Sequence, residues 1–358
     1  MPLPRVSATP NTWTTASANG WTMAADRSAP SYGSAFVAGN GDGQQSGPVK
    51  GRQRRTLRGW GTAAAALAIA AGIGFAPLIP SWDGAGSAWT SFLPWTAVLL
   101  VLLGALSLIR RSWWACSAVL VALMVWSAVF VPQLIPASGV TGAAAGTADL
   151  TVATQNIGAA NTDQAAAARQ LAATGAGIVS MQEVVGGDTA ATAALDAQYA
   201  YQARVSSVGL WSQWSMGEPQ SLELGLSWAR AMRTVVHHPS GDIAVYAVHL
   251  PSVRPGDTAA RDAAIIELRD LVAADTAPRV LVVGDLNTAG TDPTLTALTA
   301  QMADSREAVR GGFGFTWPAT FPLTRPDHVL GKSLTPVSDQ VLAAAGSDHR
   351  GVLVGLDF

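Results

Sequence analysis

Residues 59–148 contain only three charged side chains, and this apolar stretch limits the possible folds more than any other feature. The charges divide it into three uncharged runs, 59–82, 84–109 and 112–148. Each run exceeds the roughly 20 residues that a helix needs to cross the hydrocarbon layer of a membrane. Buried helices of soluble proteins rarely continue so far without a charge, so the runs predict three transmembrane helices.

The basic residues around these runs predict the orientation of the chain. Five Lys and Arg residues lie between positions 50 and 58, Arg110 and Arg111 join the second run to the third, and the loop between the first two carries only Asp83. Positively charged flanks remain in the cytoplasm. Three spans would therefore place everything after about Pro136 outside a multi-pass cell-membrane protein. A cleaved signal peptide is the alternative for the first run, although the processed chain would keep the other two.

Composition predicts four regions. Residues 1–57 are rich in Ser, Thr, Ala, Gly and Asn and show no helical or strand period, which is typical of a disordered tail, here on the cytoplasmic side. The transmembrane region would cover 58–136, a linker 137–149, and a folded extracytoplasmic domain 150–358. The single cysteine, Cys116, lies in an apolar run, so this last domain has no thiol to oxidise.

The net charge of −2 combines two opposite parts. Residues 1–149 hold nine Lys and Arg against four Asp and Glu, whereas residues 150–358 hold thirteen against twenty. A domain with a net charge of −7 lacks the clustered basic residues that bind a phosphate backbone, so nucleic acid is an improbable partner. A small or lipid-borne substrate fits this charge better, and nothing in the sequence indicates a protein partner.

The C-terminal part alternates strand-like and helix-like segments. Period and β-branched content predict strands at 150–155, 178–182, 243–249, 280–283 and 352–356, and helices at 165–173, 189–199, 259–273 and 293–302. This order predicts an α/β domain in which helices cover packed sheets.

Nearly every predicted strand leads into a polar side chain. Asn156, Glu183 and His249 end or follow the first three strands, and Asp285 with Asn287 follows the fourth. Further along the chain lie Asp327, Asp348 and His349. Folding alone requires no particular polar residue at a strand end, so the repetition indicates a shared site.

The motifs around these residues resemble the endonuclease/exonuclease/phosphatase superfamily, whose fold is that of DNase I. The chain carries in order QN at 155–156, QE at 182–183, HL at 249–250, GDLN at 284–287, DHVL at 327–330 and SDH at 347–349. With three preceding spans it looks most like the VanJ-type teicoplanin-resistance membrane proteins of bacteria. The resemblance implies a four-layer α/β/β/α sandwich, a divalent cation, and hydrolysis of a phosphate ester by water.

The resemblance also implies a role for each residue. Carboxylate and amide oxygens suit Mg²⁺ or Mn²⁺, so Glu183 with Asn156 and Asp348 would form an open metal site. Asp285 would orient or deprotonate the attacking water, and Asn287 would bind that water or the phosphate. His249 would donate a hydrogen bond to the developing negative charge. Asp327 would pair with His349, whose imidazolium would face the phosphate.

Structural roles compete with several of these functional ones. Asn156 could cap the helix that begins near Thr162, and Glu183 could pair with an arginine. His328 could face the pocket or replace the aromatic residue usual at that position of the family. The family pattern also implies an acidic partner for His249 between residues 204 and 233, where neither Glu218 nor Glu223 can be assigned.

The sequence thus predicts a membrane-anchored, outward-facing, metal-dependent phosphoesterase. Since a tether restricts the search to two dimensions, a lipid-linked phosphate of cell-wall synthesis is a natural substrate. An externalised nuclease is the rival enzyme, and its substrate would be polyanionic. A catalytically inactive binding or sensor module on the same fold is the rival from another class.

Overall fold

A computed structural model describes residues 59–138, 148–184, 189–254 and 256–358. The predicted disordered tail at 1–57 lies outside the described residues, as does most of the predicted linker at 137–149.

The apolar region folds into four helices rather than three long ones. They are α1 (Trp60–Gly74), α2 (Ala85–Ser91), α3 (Thr96–Ile109) and α4 (Trp113–Leu134). Among the described residues, α4 alone has the length and composition to cross a membrane as one helix. The segments containing α2 and α3 are long and apolar enough to span a membrane only when taken together, and they are bent by 55° relative to each other. Helix α1 is shorter, at 15 residues.

Proline explains why the second run is not one helix, and glycine marks where that run begins. Gly84 has a φ of 98°, a left-handed conformation that favours glycine, and it starts α2 rather than continuing a helix. At Gly86 a Cβ would collide with the Pro80 carbonyl oxygen, so the chain passes closely there. Pro94 lacks an N–H and lies in the turn between α2 and α3. Run length predicted apolar helices, but these local breaks divide them.

Twelve strands and five further helices follow among the residues that the structure describes. The strands are β1 (Leu150–Asn156), β2 (Ile178–Gln182), β3 (Tyr201–Val205), β4 (Val208–Ser212), β5 (Gln220–Leu222), β6 (Ala231–Val236), β7 (Ile243–His249), β8 (Arg279–Asp285), β9 (Ala303–Asp304), β10 (Asp327–Lys332), β11 (Thr335–Val341) and β12 (Val352–Asp357). The helices are α5 (Gln164–Ala173), α6 (Thr189–Gln198), α7 (Ala259–Ala274), α8 (Thr296–Thr299) and α9 (Ser305–Val309).

The strands form two mixed six-stranded sheets that pack face to face. The first has the order β11-β12-β1-β2-β4-β3 and the second β5-β6-β7-β8-β10-β9. Val152, Val245 and Val283 lie in the core between the sheets, whereas their neighbours Ala153 and Tyr246 face the outer helices. Helices α5 and α6 cover the first sheet and α7 and α8 cover the second, which confirms the predicted α/β fold with two packed sheets.

Five predicted strands are present, with ends within two residues of the prediction. They are central and buried on both faces, which produces the continuous apolar runs that the sequence displays. The missed strands include β3 and β5, whose mostly exposed residues leave a weak pattern. The helix predicted at 293–302 is shorter in the structure. Its first residues, Pro293–Leu295, form a 3₁₀ turn, and the α-helix covers only Thr296–Thr299.

Candidate active site

Strand register brings the polar strand ends together. In the second sheet His249 of β7 lies opposite Asp285 of β8, and Asp285 lies opposite Asp327 of β10. In the first sheet Asn156 ends β1, and Glu183 follows the end of its parallel neighbour β2. The Nδ2 of Asn156 donates to Oδ2 of Asp285 at 2.9 Å, so this bond joins the ends of two central strands, one from each sheet.

One cavity of about 380 Å³ opens at these strand ends. The predicted site residues that line it are Asn156, Glu183, Asp285, Asn287, Asp348 and His349. The other two, His249 and Asp327, lie behind this lining: His249 Nε2 is 3.6 Å from Glu183 Oε1, and Asp327 Oδ2 is 2.9 Å from His349 Nδ1. All eight residues therefore belong to a single constellation.

His349 is held as a cation by its neighbours. Asp327 Oδ2 accepts from His349 Nδ1 at 2.9 Å and from the Thr316 hydroxyl at 2.6 Å. Burial alone would lower the pKa of His349, but the Asp327 and Asp285 carboxylates outweigh it and raise the pKa to about 10. At neutral pH the imidazolium directs its Nε2–H toward Asp285 Oδ2, 3.9 Å away, and the cavity that both residues line.

Asp285 is the most buried acid that lines the cavity. Burial raises its pKa to about 6, and the nearby Asp327 carboxylate adds to this effect, whereas His349 opposes it. Its Oδ1 accepts from the Asn287 backbone at 2.8 Å, and its Oδ2 accepts from Asn287 Nδ2 at 3.3 Å. Because Asn287 also donates from Nδ2 to the Leu250 carbonyl at 2.8 Å, its amide nitrogen is engaged and its oxygen can accept from water.

The Glu183 carboxylate accepts hydrogen bonds from two amide groups and not from an arginine. Its Oε2 accepts from the Ala159 backbone at 2.7 Å, and its Oε1 accepts from Asn156 Nδ2 at 3.1 Å. The Oδ1 of Asn156 accepts from the Gly158 backbone at 3.0 Å, so its amide presents nitrogen to the carboxylates. Asn156 caps no helix, since Asp163 is the residue that caps α5. The second lone pair of this Asn156 oxygen can bind a cation.

The oxygen donors around the cavity fit a hard divalent cation. Asp285, Asp327 and His349 offer possible ligand atoms within 4.8 Å of one another. Two of these residues are already paired with each other, since His349 Nδ1 donates to Asp327 Oδ2 at 2.9 Å. Glu183 and Asp348 line the same cavity with carboxylates, which are the ligands that Mg²⁺ and Mn²⁺ prefer.

Comparison with known proteins identifies the family. The sequence model described as the Endonuclease/Exonuclease/phosphatase family matches residues 153–349. The chain belongs to this family. Its members are hydrolases that act on phosphate esters. No curated protein matches the chain.

Solved structures agree with the fold of this family. Truncated TDP2 of Caenorhabditis elegans is 17% identical over 58% of this chain and 97% of that chain, with a TM-score of 0.51. TDP2 of D. rerio, complexed with a single-strand DNA product, is 17% identical over 58% of this chain and 99% of that chain, also with a TM-score of 0.51. At this identity the likeness concerns the fold alone.

The prediction of an acidic partner for His249 between residues 204 and 233 is wrong. The group at Nδ1 of His249 is the Arg230 guanidinium, at 3.3 Å, while Glu218 and Glu223 are exposed. Since a guanidinium only donates, Nδ1 accepts and the ring proton lies on Nε2, which faces Glu183 and Asp285. Sequence reasoning missed Arg230 because it searched for an acid.

His328 and Trp317, a residue of the preceding loop, also have defined positions. His328 is buried, with Nδ1 2.8 Å from Asp304 Oδ2 and Nε2 2.8 Å from the Thr288 carbonyl oxygen. It therefore supports the loop after Asn287 and does not line the cavity. Trp317 does line it, and its Nε1 donates to Asp348 Oδ2 at 3.3 Å, so this indole holds a predicted metal ligand.

Replacing Arg230 with methionine is expected to raise the pKa of His249. Burial and then the positive charge of Arg230 lower this pKa to about 4, which keeps the imidazole neutral at physiological pH. Titration of the imidazole resonances by NMR would measure the change. Arg169→Met, at an exposed position of α5, is the control. An unchanged titration in Arg230→Met would mean that the guanidinium does not set the charge of His249.

Proposed function

We propose that this protein is a membrane-anchored, extracytoplasmic, metal-dependent phosphoesterase related to the VanJ-type teicoplanin-resistance proteins. The apolar helices support a membrane anchor, and the basic flanks support an outward-facing catalytic domain. Membership of the family supports phosphate-ester hydrolysis. A lipid-linked intermediate of cell-wall synthesis is the proposed substrate.

The observation that carries this proposal is the pairing of a near-neutral acid with an imidazolium in one cavity. The pKa of Asp285 is raised to about 6 and that of His349 to about 10, and both residues line the cavity. A carboxylate whose pKa lies near neutral pH can accept a proton from water, and an imidazolium stabilises an oxyanion. Hydrolysis of a phosphate ester needs both properties.

The residues divide the reaction among them. Asp285 orients the attacking water and takes its proton as the new P–O bond forms, and the Asn287 amide oxygen accepts the second hydrogen bond from that water. His349 donates from Nε2 to a phosphoryl oxygen, and neutral His249, behind the lining, directs its Nε2–H toward the Glu183 and Asp285 carboxylates. The bond from phosphorus to the alcohol oxygen breaks with its electron pair on that oxygen, which takes a proton from solvent, and Asp285 releases the proton it accepted to solvent. The net products are the free alcohol and phosphate.

Glu183 and Asp348 would hold the divalent cation, with Asn156 fixing the Glu183 carboxylate through its hydrogen bond of 3.1 Å. A bound Mg²⁺ or Mn²⁺ would neutralise the phosphate charge and stabilise the leaving oxygen.

A nuclease remains the rival function. The likeness to TDP2 with bound single-strand DNA product motivates this alternative, while the net charge of −7 over residues 150–358 opposes it. Side-by-side assays with a lipid phosphate and a single-stranded oligonucleotide separate the two functions. Faster turnover of the oligonucleotide would replace the proposal with the nuclease.

Glu183→Gln is expected to abolish metal-dependent phosphate release. In wild type, release from a panel of phosphate esters should require Mg²⁺ or Mn²⁺ and stop with a chelator. Because the variant removes a charged ligand, we expect Mn²⁺ affinity measured by calorimetry to fall by at least about tenfold. Glu223→Gln, at an exposed position, is the control. Equal Mn²⁺ affinity in both variants would reject Glu183 as a ligand, and chelator-resistant release would reject metal dependence.

A further inference from the structure

Helix α2 of the apolar region borders the candidate active site. Ala88, Ser91 and Phe92 line the same cavity as Glu183 and His349. We call these three residues the α2 wall. The cavity is thus built from two parts of the chain that are more than 60 residues apart in sequence, and the domain at 150–358 supplies only one of them.

Hydrogen bonds hold helix α2 against the domain that carries the catalytic residues. The fully buried guanidinium of Arg261 donates to the Ser87 hydroxyl at 2.7 Å and to Asp292 Oδ2 at 3.1 Å. The Thr291 hydroxyl donates to the Thr90 carbonyl at 2.6 Å. Thr291 and Asp292 both lie in the loop that follows Asn287. Helix α2, which carries most of the wall, is therefore anchored to this loop directly through Thr291 and indirectly through Arg261.

The α2 wall is chemically unlike the carboxylates and the imidazole that line the same cavity. Ala88 and Phe92 are apolar and exposed, with Phe92 40% exposed, and the wall carries no charge. Val253 and Trp317 extend this apolar surface, while the carboxylates and His349 form the polar surface. Such a cavity matches a ligand that has a phosphate at one end and a hydrocarbon directly beside it.

The apolar surface continues beyond the cavity. Phe92 lies just before α3, whose outer face exposes Val98, Val101 and Leu102. A hydrocarbon chain that leaves the cavity past Phe92 can therefore remain on apolar surface. A nucleoside would also stack on Phe92 and Trp317, but its sugar and neighbouring phosphates would then meet a net negative domain.

We propose that the α2 wall binds the hydrocarbon of the leaving alcohol and selects phosphate esters of long-chain alcohols. This inference rests on the proposed phosphoesterase activity and adds the residues that select the substrate. The polar residues act on the phosphate, and the wall removes the adjoining methylenes from water. Each buried methylene raises kcat/KM by roughly fourfold until the wall is filled.

The test compares butyl phosphate with dodecyl phosphate, using the full-length protein in detergent micelles with Mg²⁺. For wild type we expect a much larger kcat/KM with the dodecyl ester. Phe92→Ser should reduce the dodecyl-to-butyl ratio by about tenfold, because it removes apolar contact. Ala88→Phe should reduce the ratio independently by filling the cavity. Phe75→Ser, at a 63% exposed phenylalanine away from the cavity, should leave the ratio unchanged.

The outcomes separate this inference from the proposed function. A wild-type ratio near one, or an unchanged ratio in both cavity variants, would overturn the role of the α2 wall while the phosphoesterase stands. Phosphate release from neither ester would instead overturn the proposed function. If the variants slow cleavage of a single-stranded oligonucleotide and leave the dodecyl ratio unchanged, the wall stacks bases and the inference is wrong.

Discussion

His349→Ala is expected to reduce phosphate release by about 10²- to 10³-fold, as removal of a donor to developing oxyanion charge does in other enzymes. The Asp327 carboxylate lies 2.9 Å from Nδ1 of His349 and helps to raise its pKa to about 10. Alanine removes the donor that faces the phosphoryl oxygen and leaves Asp327 without this partner. Single-turnover phosphate release with saturating Mg²⁺ measures the effect.

His237→Ala provides the matched control for this variant. His237 is half exposed, pairs with Asp242 at 3.0 Å, and does not line the cavity. Its loss should leave the rate within about twofold of wild type, as is usual for surface substitutions. Thermal unfolding of both variants checks that the fold persists. Unchanged phosphate release from a folded His349→Ala protein would remove the proposed mechanism.

Asp304→Asn is expected to lower the free energy of unfolding by about 3–5 kcal/mol, because it leaves the buried Arg325 guanidinium without its bidentate counter-ion. Both carboxylate oxygens of Asp304 accept from Arg325 at 2.9 Å, and Oδ2 lies 2.8 Å from His328 Nδ1. All three side chains are at most 8% exposed. Urea unfolding measured by far-UV circular dichroism gives the change.

The same group predicts how stability depends on pH. Burial alone would raise the pKa of Asp304, but Arg325 and His328 outweigh burial and hold it well below the usual 3.8. A lowered pKa means that this stabilisation is complete above about pH 4 and is lost as the pH falls toward the folded-state value. Wild type should lose stability over this range more steeply than Asp304→Asn. Parallel pH dependence in both proteins would contradict the assignment.

Glu307→Gln is the control for the Asp304 variant. Glu307 lies 3.9 Å from the same Arg325 guanidinium, but its side chain is 50% exposed. An exposed pair contributes at most about 1 kcal/mol, so this variant should unfold close to wild type. Equal losses in the two variants would show that burial does not distinguish these carboxylates.

The central strands and their polar ends were predictable from the sequence because both are local signals. A strand buried on both faces is a continuous apolar run, and the polar residue that ends it stands next to it in the chain, as Asp285 does after 280–283. The ordered motifs then indicated the family and the α/β sandwich. Apolar run length likewise predicted helices between residues 59 and 138 and a loop at Asp83, but it did not predict the break at Pro94.

Contacts between distant segments were decided only by the tertiary structure. Nothing near His249 in the sequence indicates Arg230 as its neighbour, because strand β7 meets that residue through the pairing of β6 with β7. Likewise, no pattern in α2 predicts that Ser87 contacts Arg261 or that Phe92 borders the catalytic cavity. The sequence by itself determined which side chains end the central strands, since strand period and polarity act over a few residues. Packing determined which partners surround those side chains, because burial and charge depend on every segment that folds against them.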